Sequence, residues 1–345
     1  MKAKIIDGSY GEGGGQILRY AALYSVLTGF DVHVVRIRAN RPNPGLRPQH
    51  YTLLRIMKDM FGGRIYGLEV GSREVRMSFK GVRPVNGMYN IGTAGSISLI
   101  IQAITPLLLT ADSTSELTIV GGTDVRWSPP IDYMAYAYSS LIRYIGGYME
   151  VKVDRRGFYP KGGGRVRILI EPGKIKSINK VIRGDLERVI VSNVVCGLPR
   201  HVLDRQGETI EKLIRRSVDI EDVERKNTYC NDSLDPGTSI VVLGCDGELC
   251  CGGDSLGERG KRAETVAEEA FSKFMRWYST GAAFDKHLGD MVIPLSMLSN
   301  EKSIFTVEEF TKHMESALYV AKVFYDNLKY EVKRVGQTYL LELSR

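Results

Sequence analysis

The stretch DGSYGEGGGQILR, residues 7–19, joins a short apolar strand to an apolar helix through a turn with three consecutive glycines. Glycines let backbone N–H groups approach an anion closely, and a helix N-terminus adds partial positive charge. The spacing is neither GxGxxG nor GxxxxGK[ST], so neither common nucleotide fingerprint applies. Glu12 would repel a phosphate unless it holds a divalent metal that bridges to the phosphate. A tight turn with a solvated Glu12 is the alternative, and both interpretations stay open.

The same order of strand, glycine-rich turn and apolar helix recurs along the first half of the chain. Helices rich in Ala, Ser, Leu and Tyr are typical of helices that pack on one face of a sheet. The predicted helices span residues 16–28, 96–109 and 131–144, and short alternating strands are predicted at 31–38 and 74–79. The pattern predicts an internal repeat of α/β units.

The pattern changes after about residue 184, where charged residues become denser. The predicted elements there are a strand at 189–195, a helix at 207–225, a strand at 239–243 and an amphipathic helix at 262–278. This order predicts an inserted βαβα domain. The earlier pattern resumes after residue 279, with a final helix within 305–330 and a last strand at 338–343.

Composition narrows the class of protein. The chain has 345 residues, enough for one large and one smaller domain, and a net charge of +7 that suits a partner carrying phosphates. No apolar stretch reaches the roughly 20 residues of a spanning helix, and the N-terminus lacks a signal-like apolar region. We therefore expect a cytoplasmic protein that does not enter a membrane.

Five cysteines lie between residues 196 and 251, without a CxxC pair or a nearby histidine, so a zinc site is not expected. Free thiols in a reducing compartment and disulfides in a hyperthermophile's protein both stay open. The five are Cys196, Cys230, Cys245, Cys250 and Cys251.

Two further loops could handle phosphate. IRANRPNPGLRPQH, residues 37–50, carries three arginines on a segment stiffened by three prolines. Arginine forks match phosphate oxygens, and a pre-ordered loop lowers the entropy lost on binding. A solvated basic loop is the alternative. The triple glycine in GFYPKGGG, residues 157–164, favours a hairpin turn over a second phosphate cradle.

Five histidines are candidates for a nucleophile. His33 lies in a strand pattern and His201 in the predicted insert. His50 follows the arginines of the segment 37–50, which we call the arginine loop, and His287 precedes an apolar run. His313 opens the last helix, with either Thr306 (in a capping box with Glu309) or Thr311 as N-cap. The helix dipole there disfavours an imidazolium, and a neutral ring is what attack on phosphorus requires. The alternative is a His313 that merely edges an apolar core face.

Taken together, these segments resemble the RNA 3′-terminal phosphate cyclase family over almost the whole chain. The motifs that carry the resemblance are GEGGGQILR at 11–19, IRANRPNPGLRPQH at 37–50, IGTAGS at 91–96, GGTD at 121–124, GFYPKGGG at 157–164, LPRHV at 198–202, HLGD at 287–290 and FTV…H at 305–313. Several independent motifs in one order argue against chance similarity.

The resemblance implies an ATP-dependent reaction in three steps. A histidine attacks the α-phosphorus of ATP, which gives a histidine–AMP adduct and releases pyrophosphate. AMP then passes to the RNA 3′-phosphate, giving RNA(3′)pp(5′)A. The neighbouring 2′-hydroxyl finally attacks and expels AMP, which leaves a 2′,3′-cyclic phosphate. Each step concentrates negative charge, so arginines and a divalent metal, Mg²⁺ or Mn²⁺, are expected.

The resemblance also assigns roles to residues of this chain. The nucleophile falls on His313 and the metal ligand on Glu12. The expected nucleotide-binding residues are Gln16, Arg19, Gln102, His287 (stacking on adenine) and Asp290 (at the ribose hydroxyls). The expected phosphate- or RNA-binding residues are Arg38, Arg41, Gln49 and His50. The segment just before His313 departs from the family's bacterial pattern, which leaves the start of its helix undecided.

By the same resemblance, an α/β large domain at 1–183 and 277–345 should hold three βαβαββ units, like a translation initiation factor C-terminal domain. The small α/β insert should span 184–276. The expected partners are RNA 3′-phosphate ends and ATP, and a homo-oligomer is compatible with the sequence. The alternatives are a non-catalytic relative in ribosomal RNA processing, which would lack the histidine, an enolpyruvyl-transferase-like enzyme, and a plain RNA-binding module.

Overall fold

A computed structural model describes residues 3–11 and 13–345. Its first sheet has the strand order β1-β2-β4-β3, with β1 and β2 parallel and the other neighbours antiparallel. The elements of this unit are β1 (Lys4–Asp7), α1 (Gly15–Thr28), β2 (Val32–Val35), α2 (Pro48–Phe61), β3 (Arg64–Tyr66) and β4 (Val75–Ser78).

The second sheet repeats this arrangement, with the order β5-β6-β8-β7 and only β5 and β6 parallel. Its second helix is continuous but contains a π-helical segment, Met134–Tyr138, between α4 and α5. The elements are β5 (Asn86–Asn90), α3 (Ile97–Leu108), β6 (Ser115–Gly121), α4 (Ile131–Tyr133), α5 (Ser139–Tyr144), β7 (Tyr148–Arg155) and β8 (Gly164–Glu171). Residues 157–164 connect β7 to β8, which confirms the predicted hairpin turn.

After the short strand β9 (Asn179–Lys180), the chain enters the insert. Its elements are β10 (Arg188–Cys196), α6 (His201–Ser217), β11 (Val223–Cys230), β12 (Gly237–Cys245), β13 (Cys250–Leu256) and α7 (Ala263–Thr280). The insert's sheet has the order β11-β10-β12-β13, with only β10 and β11 parallel.

The third unit then closes around β9, with the sheet order β9-β14-β16-β15 and only β9 and β14 parallel. Its remaining elements are α8 (Lys286–Ser296), β14 (Ser303–Val307), α9 (Lys312–Phe324), β15 (Lys329–Val335) and β16 (Thr338–Ser344). The three sheets therefore share one strand order and one pattern of pairing, and the predicted α/β class is confirmed.

The insert differs in detail from its predicted βαβα order, because it contains four strands in the order βαβββα. The helix predicted at 207–225 ends at Ser217, and residues 223–230 form β11 instead. This strand, VERKNTYC, lies at the sheet edge with alternating half-buried and exposed residues. Its charged composition hides the strand period. The domain bounds at 184–276 stay a prediction.

Thr311, one of the two predicted candidates, is the N-cap of α9. Its hydroxyl accepts a hydrogen bond from the backbone N–H of Met314 at 3.1 Å, as an N-cap does. The predicted capping box at Thr306 is wrong, because Thr306 lies in β14, paired with β16, and its hydroxyl donates to the carbonyl of Val181.

Four of the five cysteines form disulfides between neighbouring strands, which decides a question that the sequence left open. Cys196 pairs with Cys230 across β10 and β11, and Cys245 pairs with Cys250 across β12 and β13. Cys251 is a free, buried thiol. Both bridges hold the insert's sheet together. Among the described residues, none of the helices is long and apolar enough to cross a membrane.

A buried charged network fixes the insert to the large domain. Arg156 lies 3.5 Å from Asp124 and 2.9 Å from Asp132, and all three side chains are buried. The two carboxylates also accept hydrogen bonds from Ser192 on β10 and Ser239 on β12 of the insert. Burial raises the pKa of Asp124, whereas Arg156 and the hydrogen bonds from Thr123 and Ser239 act in the opposite direction.

We expect Arg156→Met to destabilise the protein by about 3–5 kcal/mol, because it leaves two carboxylates buried without their cation. Denaturant unfolding would measure the loss. Arg167→Met is the matched control, since Arg167 pairs with Asp154 on an exposed face of β8 and should change the unfolding midpoint little. Equal midpoints for wild type and Arg156→Met would contradict the assignment.

Candidate active site

The N-terminus of α9 meets the N-terminus of α1 through a hydrogen bond between side chains. His313 Nδ1 lies 2.7 Å from Gln16 Oε1, although the two residues are 297 positions apart. Thr311, the N-cap of α9, also donates to Asp290 Oδ1 on α8 at 2.7 Å. The structure thus brings His313, Gln16 and Asp290 together, three residues that the sequence singled out.

The contact with Gln16 bears on the tautomer of His313. With the Gln16 amide oxygen facing the ring, a proton on His313 Nδ1 would be donated to that oxygen. In this tautomer a neutral imidazole carries its lone pair on Nε2. That is the form of histidine that a nucleophile needs.

The turn between β1 and α1, which we call the glycine turn, packs closely against α9 and α2. Gly11 and Gly13 have φ of +56° and +59°, a region that favours glycine. A Cβ on Gly11 would lie 2.7 Å from the Ser316 hydroxyl on α9, and a Cβ on Gly15 would overlap the His50 imidazole. Glu12, the predicted metal ligand, lies outside the described residues.

Behind the turn, α1 presents a buried cation. Arg19 is only 9% exposed, and its Nε has no hydrogen-bond partner among the described residues. Burial lowers its pKa, while neighbouring Tyr20 and Asp290 act in the opposite direction. A buried guanidinium with spare donor capacity suits an anionic ligand.

Gln102 reaches this region through Tyr20. Its amide nitrogen donates to the Tyr20 hydroxyl at 3.1 Å, and that hydroxyl donates to the backbone carbonyl of Asp290 at 3.0 Å. Gln102 is therefore linked to Asp290 through the Tyr20 hydroxyl. Tyr20 was not among the residues predicted for this region. The sequence held no signal for it, since a tyrosine on an apolar helix face is typical of a core residue.

The arginine loop lies directly over the glycine turn. The backbone N–H of Arg38 approaches the Gly8 carbonyl at 3.4 Å, and the Asn40 amide donates to the Ser9 carbonyl at 3.2 Å. Arg38 and Arg41 are half-buried, and Gln49 is exposed at the start of α2. The loop that carries Arg38 and Arg41 is thus hydrogen-bonded to Gly8 and Ser9, at the start of the turn that leads to α1.

His50 is buried rather than open to a ligand. Its Nδ1 accepts a hydrogen bond from the backbone N–H of Arg47 at 3.2 Å, and its ring packs against Gly15. Burial, with Arg38, Arg19 and Arg47 nearby, lowers the pKa of His50 to about 3. His50 is therefore neutral and supports the turn, and its predicted contact with RNA stays a prediction.

His287 lies at the other end of the site, at the first turn of α8. Its Nε2 is 3.6 Å from Asp254 on β13 of the insert, and its ring meets that of Tyr133 edge-on at 6.0 Å. The insert is fixed here too, because the N-cap Asp285 accepts hydrogen bonds from Tyr133 and from the backbone N–H of Gly252. Asp254 and Tyr133 were not predicted, since no motif surrounds them.

The fold and the basic site define a class: an α/β protein built of like-ordered units, with a site suited to phosphate groups. Residues 10–331 match the family model described as RNA 3′-terminal phosphate cyclase. A protein of that name from Staphylothermus marinus is 44% identical over 333 residues, covering 95% of this chain and 93% of its own. Those from Pyrococcus furiosus (42% identical, 95% of each chain) and Pyrobaculum aerophilum (38% identical, 98% and 97%) are similar. The chain belongs to the RNA 3′-terminal phosphate cyclase family.

The depressed pKa of His50 predicts a pH-dependent stability. Because the unfolded imidazole binds a proton below about pH 6.5 and the folded one only near pH 3, stability is lost as the pH falls between these values. From pH 6.5 to 5 we expect wild type to lose roughly 1.5 kcal/mol more than His50→Gln. Denaturant unfolding at both pH values measures this difference. Equal losses would show that His50 is not buried as described.

Proposed function

We propose that this protein uses ATP to convert an RNA 3′-terminal phosphate to a 2′,3′-cyclic phosphate through a covalent adduct of AMP on His313. The observation that carries the proposal is the 2.7 Å hydrogen bond from His313 to Gln16, at the start of the glycine-turn helix. It joins the proposed nucleophile to the first turn of the helix that follows the glycine-rich segment, where backbone N–H groups can bind phosphates. Family membership supports the overall reaction.

In the first step, His313 Nε2 attacks the α-phosphorus of ATP. A P–N bond forms, the bond from the α-phosphorus to the bridging oxygen breaks, and pyrophosphate leaves with that electron pair. Positive charge develops on the imidazole as the bond forms. Gln16 Oε1, which accepts the Nδ1–H, stabilises that charge and keeps the ring oriented.

In the second step, an oxygen of the RNA 3′-phosphate attacks the phosphorus of the adduct, and the P–N bond breaks to release His313. In the third, the 2′-hydroxyl oxygen attacks the RNA phosphorus and its proton passes to solvent. The bond from that phosphorus to the bridging oxygen breaks, and AMP leaves with the electron pair. Both steps bring two phosphates together, so the cations must counter their repulsion. Arg19 sits behind the turn, whereas Arg38 and Arg41 sit on the loop above it, which suits them to the RNA phosphate.

A divalent metal, Mg²⁺ or Mn²⁺, would supply further charge neutralisation when bound. Its proposed ligand, Glu12, lies outside the described residues. Across residues 3–11 and 13–345, no group of three or more His, Cys, Asp or Glu side chains is arranged to hold a metal ion. No step above is assigned to the metal.

The competing functions differ in what they require of His313. A non-catalytic relative in ribosomal RNA processing or a plain RNA-binding module needs no nucleophile. An enolpyruvyl-transferase-like enzyme needs no ATP, and family membership disfavours it. We favour catalysis because His313 is present and is hydrogen-bonded to Gln16 at the start of the helix that follows the glycine-rich turn.

His313→Asn should abolish covalent labelling, because the amide cannot form a P–N bond with AMP. Protein incubated with α-labelled ATP and Mg²⁺ or Mn²⁺, then run on a denaturing gel, measures the adduct as acid-labile label. His201→Asn is the matched control, since His201 is exposed at the start of α6, and it should retain the label. Wild-type protein that stays unlabelled with both metals would refute the mechanism.

Arg41→Ala should weaken the use of RNA 3′-phosphate ends more than self-adenylation, because we place Arg41 on the RNA phosphate. We expect about a tenfold or larger loss in kcat/KM for RNA, the size of one lost charge-assisted contact. Rates of adduct formation and of cyclisation, measured separately, test this. Arg64→Ala on the edge strand β3 is the control. Equal losses in both rates would contradict the placement.

A further inference from the structure

We propose that Trp127 is a stacking residue for a nucleobase of a ligand bound at the active site. The proposal rests on the proposed function, because it assumes that the site binds a nucleotide. Trp127 lies in residues 125–130, the loop between β6 and α4, which we call the tryptophan loop.

Trp127 is unusual in two independent respects. Its side chain is 93% exposed, whereas Trp277, the other tryptophan of the chain, is 2% exposed. Its φ is +62°, in the left-handed region that bulky side chains rarely adopt. A backbone held in this conformation tends to mark a functional segment, because the surrounding structure must enforce it. Here the conformation turns a large apolar ring outward.

The tryptophan loop is held in place at both ends. The backbone N–H of Ile131 donates to the Thr123 carbonyl at 2.9 Å, which closes the loop at its base. Within it, the Ser128 hydroxyl donates to the Val125 carbonyl at 3.1 Å. Arg126, next to Trp127, pairs with Glu258 of the insert at 2.7 Å. These contacts order the backbone that carries the exposed indole.

The same neighbours connect this loop, along the chain, to the residues around His287. The loop leads directly into α4, where Tyr133 contacts the His287 ring edge-on. On the insert side, Glu258 closely follows β13, whose Asp254 lies 3.6 Å from His287 Nε2. Both attachments of the tryptophan loop thus lead to the residues around His287, the ring that the resemblance assigns to adenine.

An exposed indole on a basic protein suits the flat face of a nucleobase. Stacking of a base on an aromatic side chain tolerates every base, because each has a π-face. Arg19 and the arginine loop, rather than Trp127, would neutralise the negative charge of the bound molecule. Two sources offer this chemistry: the adenine of ATP, and a base near the 3′ end of the RNA.

The two tryptophans make a direct fluorescence test possible. Trp127 dominates the signal accessible to iodide, since Trp277 is buried and its Nε1 donates to the Ala282 carbonyl. Wild-type protein is titrated with ATP in the presence of a chelator, and separately with a 3′-phosphorylated RNA oligonucleotide without ATP. We expect quenched emission and reduced iodide accessibility. ATP alone producing the change identifies adenine, and RNA alone producing it identifies an RNA base.

Variants of Trp127 then show whether the fluorescence change comes from this residue and how much it contributes to ligand affinity. Trp127→Phe should remove the ligand-dependent change, because only buried Trp277 remains. Trp127→Ala should weaken the binding of the responsible ligand by about ten- to a hundredfold, and Trp127→Phe by much less. Tyr66→Ala is the matched control, since Tyr66 is 62% exposed on the edge strand β3, and its affinities should equal those of wild type.

The proposal is overturned if neither ATP nor RNA alters Trp127 emission while both bind by an independent filter or calorimetric assay. It is also overturned if Trp127→Ala binds both ligands as tightly as wild type does. Labelling of wild-type protein by α-labelled ATP separates this failure from that of the proposed function. Labelled protein with an unresponsive Trp127 refutes only the stacking role, and unlabelled protein refutes the adenylation mechanism itself.

Discussion

The hydrogen bond between His313 and Gln16 is the contact on which the site depends. It holds two helix N-termini together, one from the first unit of the chain and one from the last. Several features allow the two helix N-termini to come this close. Gly11 must lack a side chain because Ser316 of α9 lies against it, and Gly15 must lack one because His50 lies against it. Thr311 caps α9 and binds Asp290, which ties α8 to the same point. Larger residues in the turn would have to displace the Ser316 and His50 side chains.

The insert is part of the site's architecture rather than a loose addition. Buried carboxylates of the large domain bind Ser192 and Ser239 of the insert and are balanced by Arg156. Asp285, at the start of α8, accepts a hydrogen bond from the insert's backbone. Such contacts are strong only when every buried polar group is satisfied. The insert therefore has a fixed position, from which Asp254 can reach His287.

Much of the fold was predictable because its helices are long and strongly apolar. Helices α1, α3 and the one from α4 to α5 lie within a residue or two of their predicted positions, and the glycine turns between strands and helices are where the sequence indicates. The insert was harder to predict. Its edge strand β11 is rich in charged and polar residues, and only one of its faces is half-buried. The alternation of apolar and polar residues that predicts a strand is therefore weak there. Short β9 has only two residues and pairs with a strand 125 positions away, which local patterns cannot reveal.

The sequence by itself determined the class of elements, the family and the residue types available for chemistry, since periodicity, glycine turns and motifs are local properties. Only the tertiary structure decided which of these residues meet. It turned His313 toward Gln16, buried His50 beneath the arginine loop, paired four cysteines across strands and set Tyr20 between Gln102 and Asp290. Burial, pKa and the choice of tautomer depend on neighbours distant along the chain, and those neighbours exist only once the three sheets and the insert have packed.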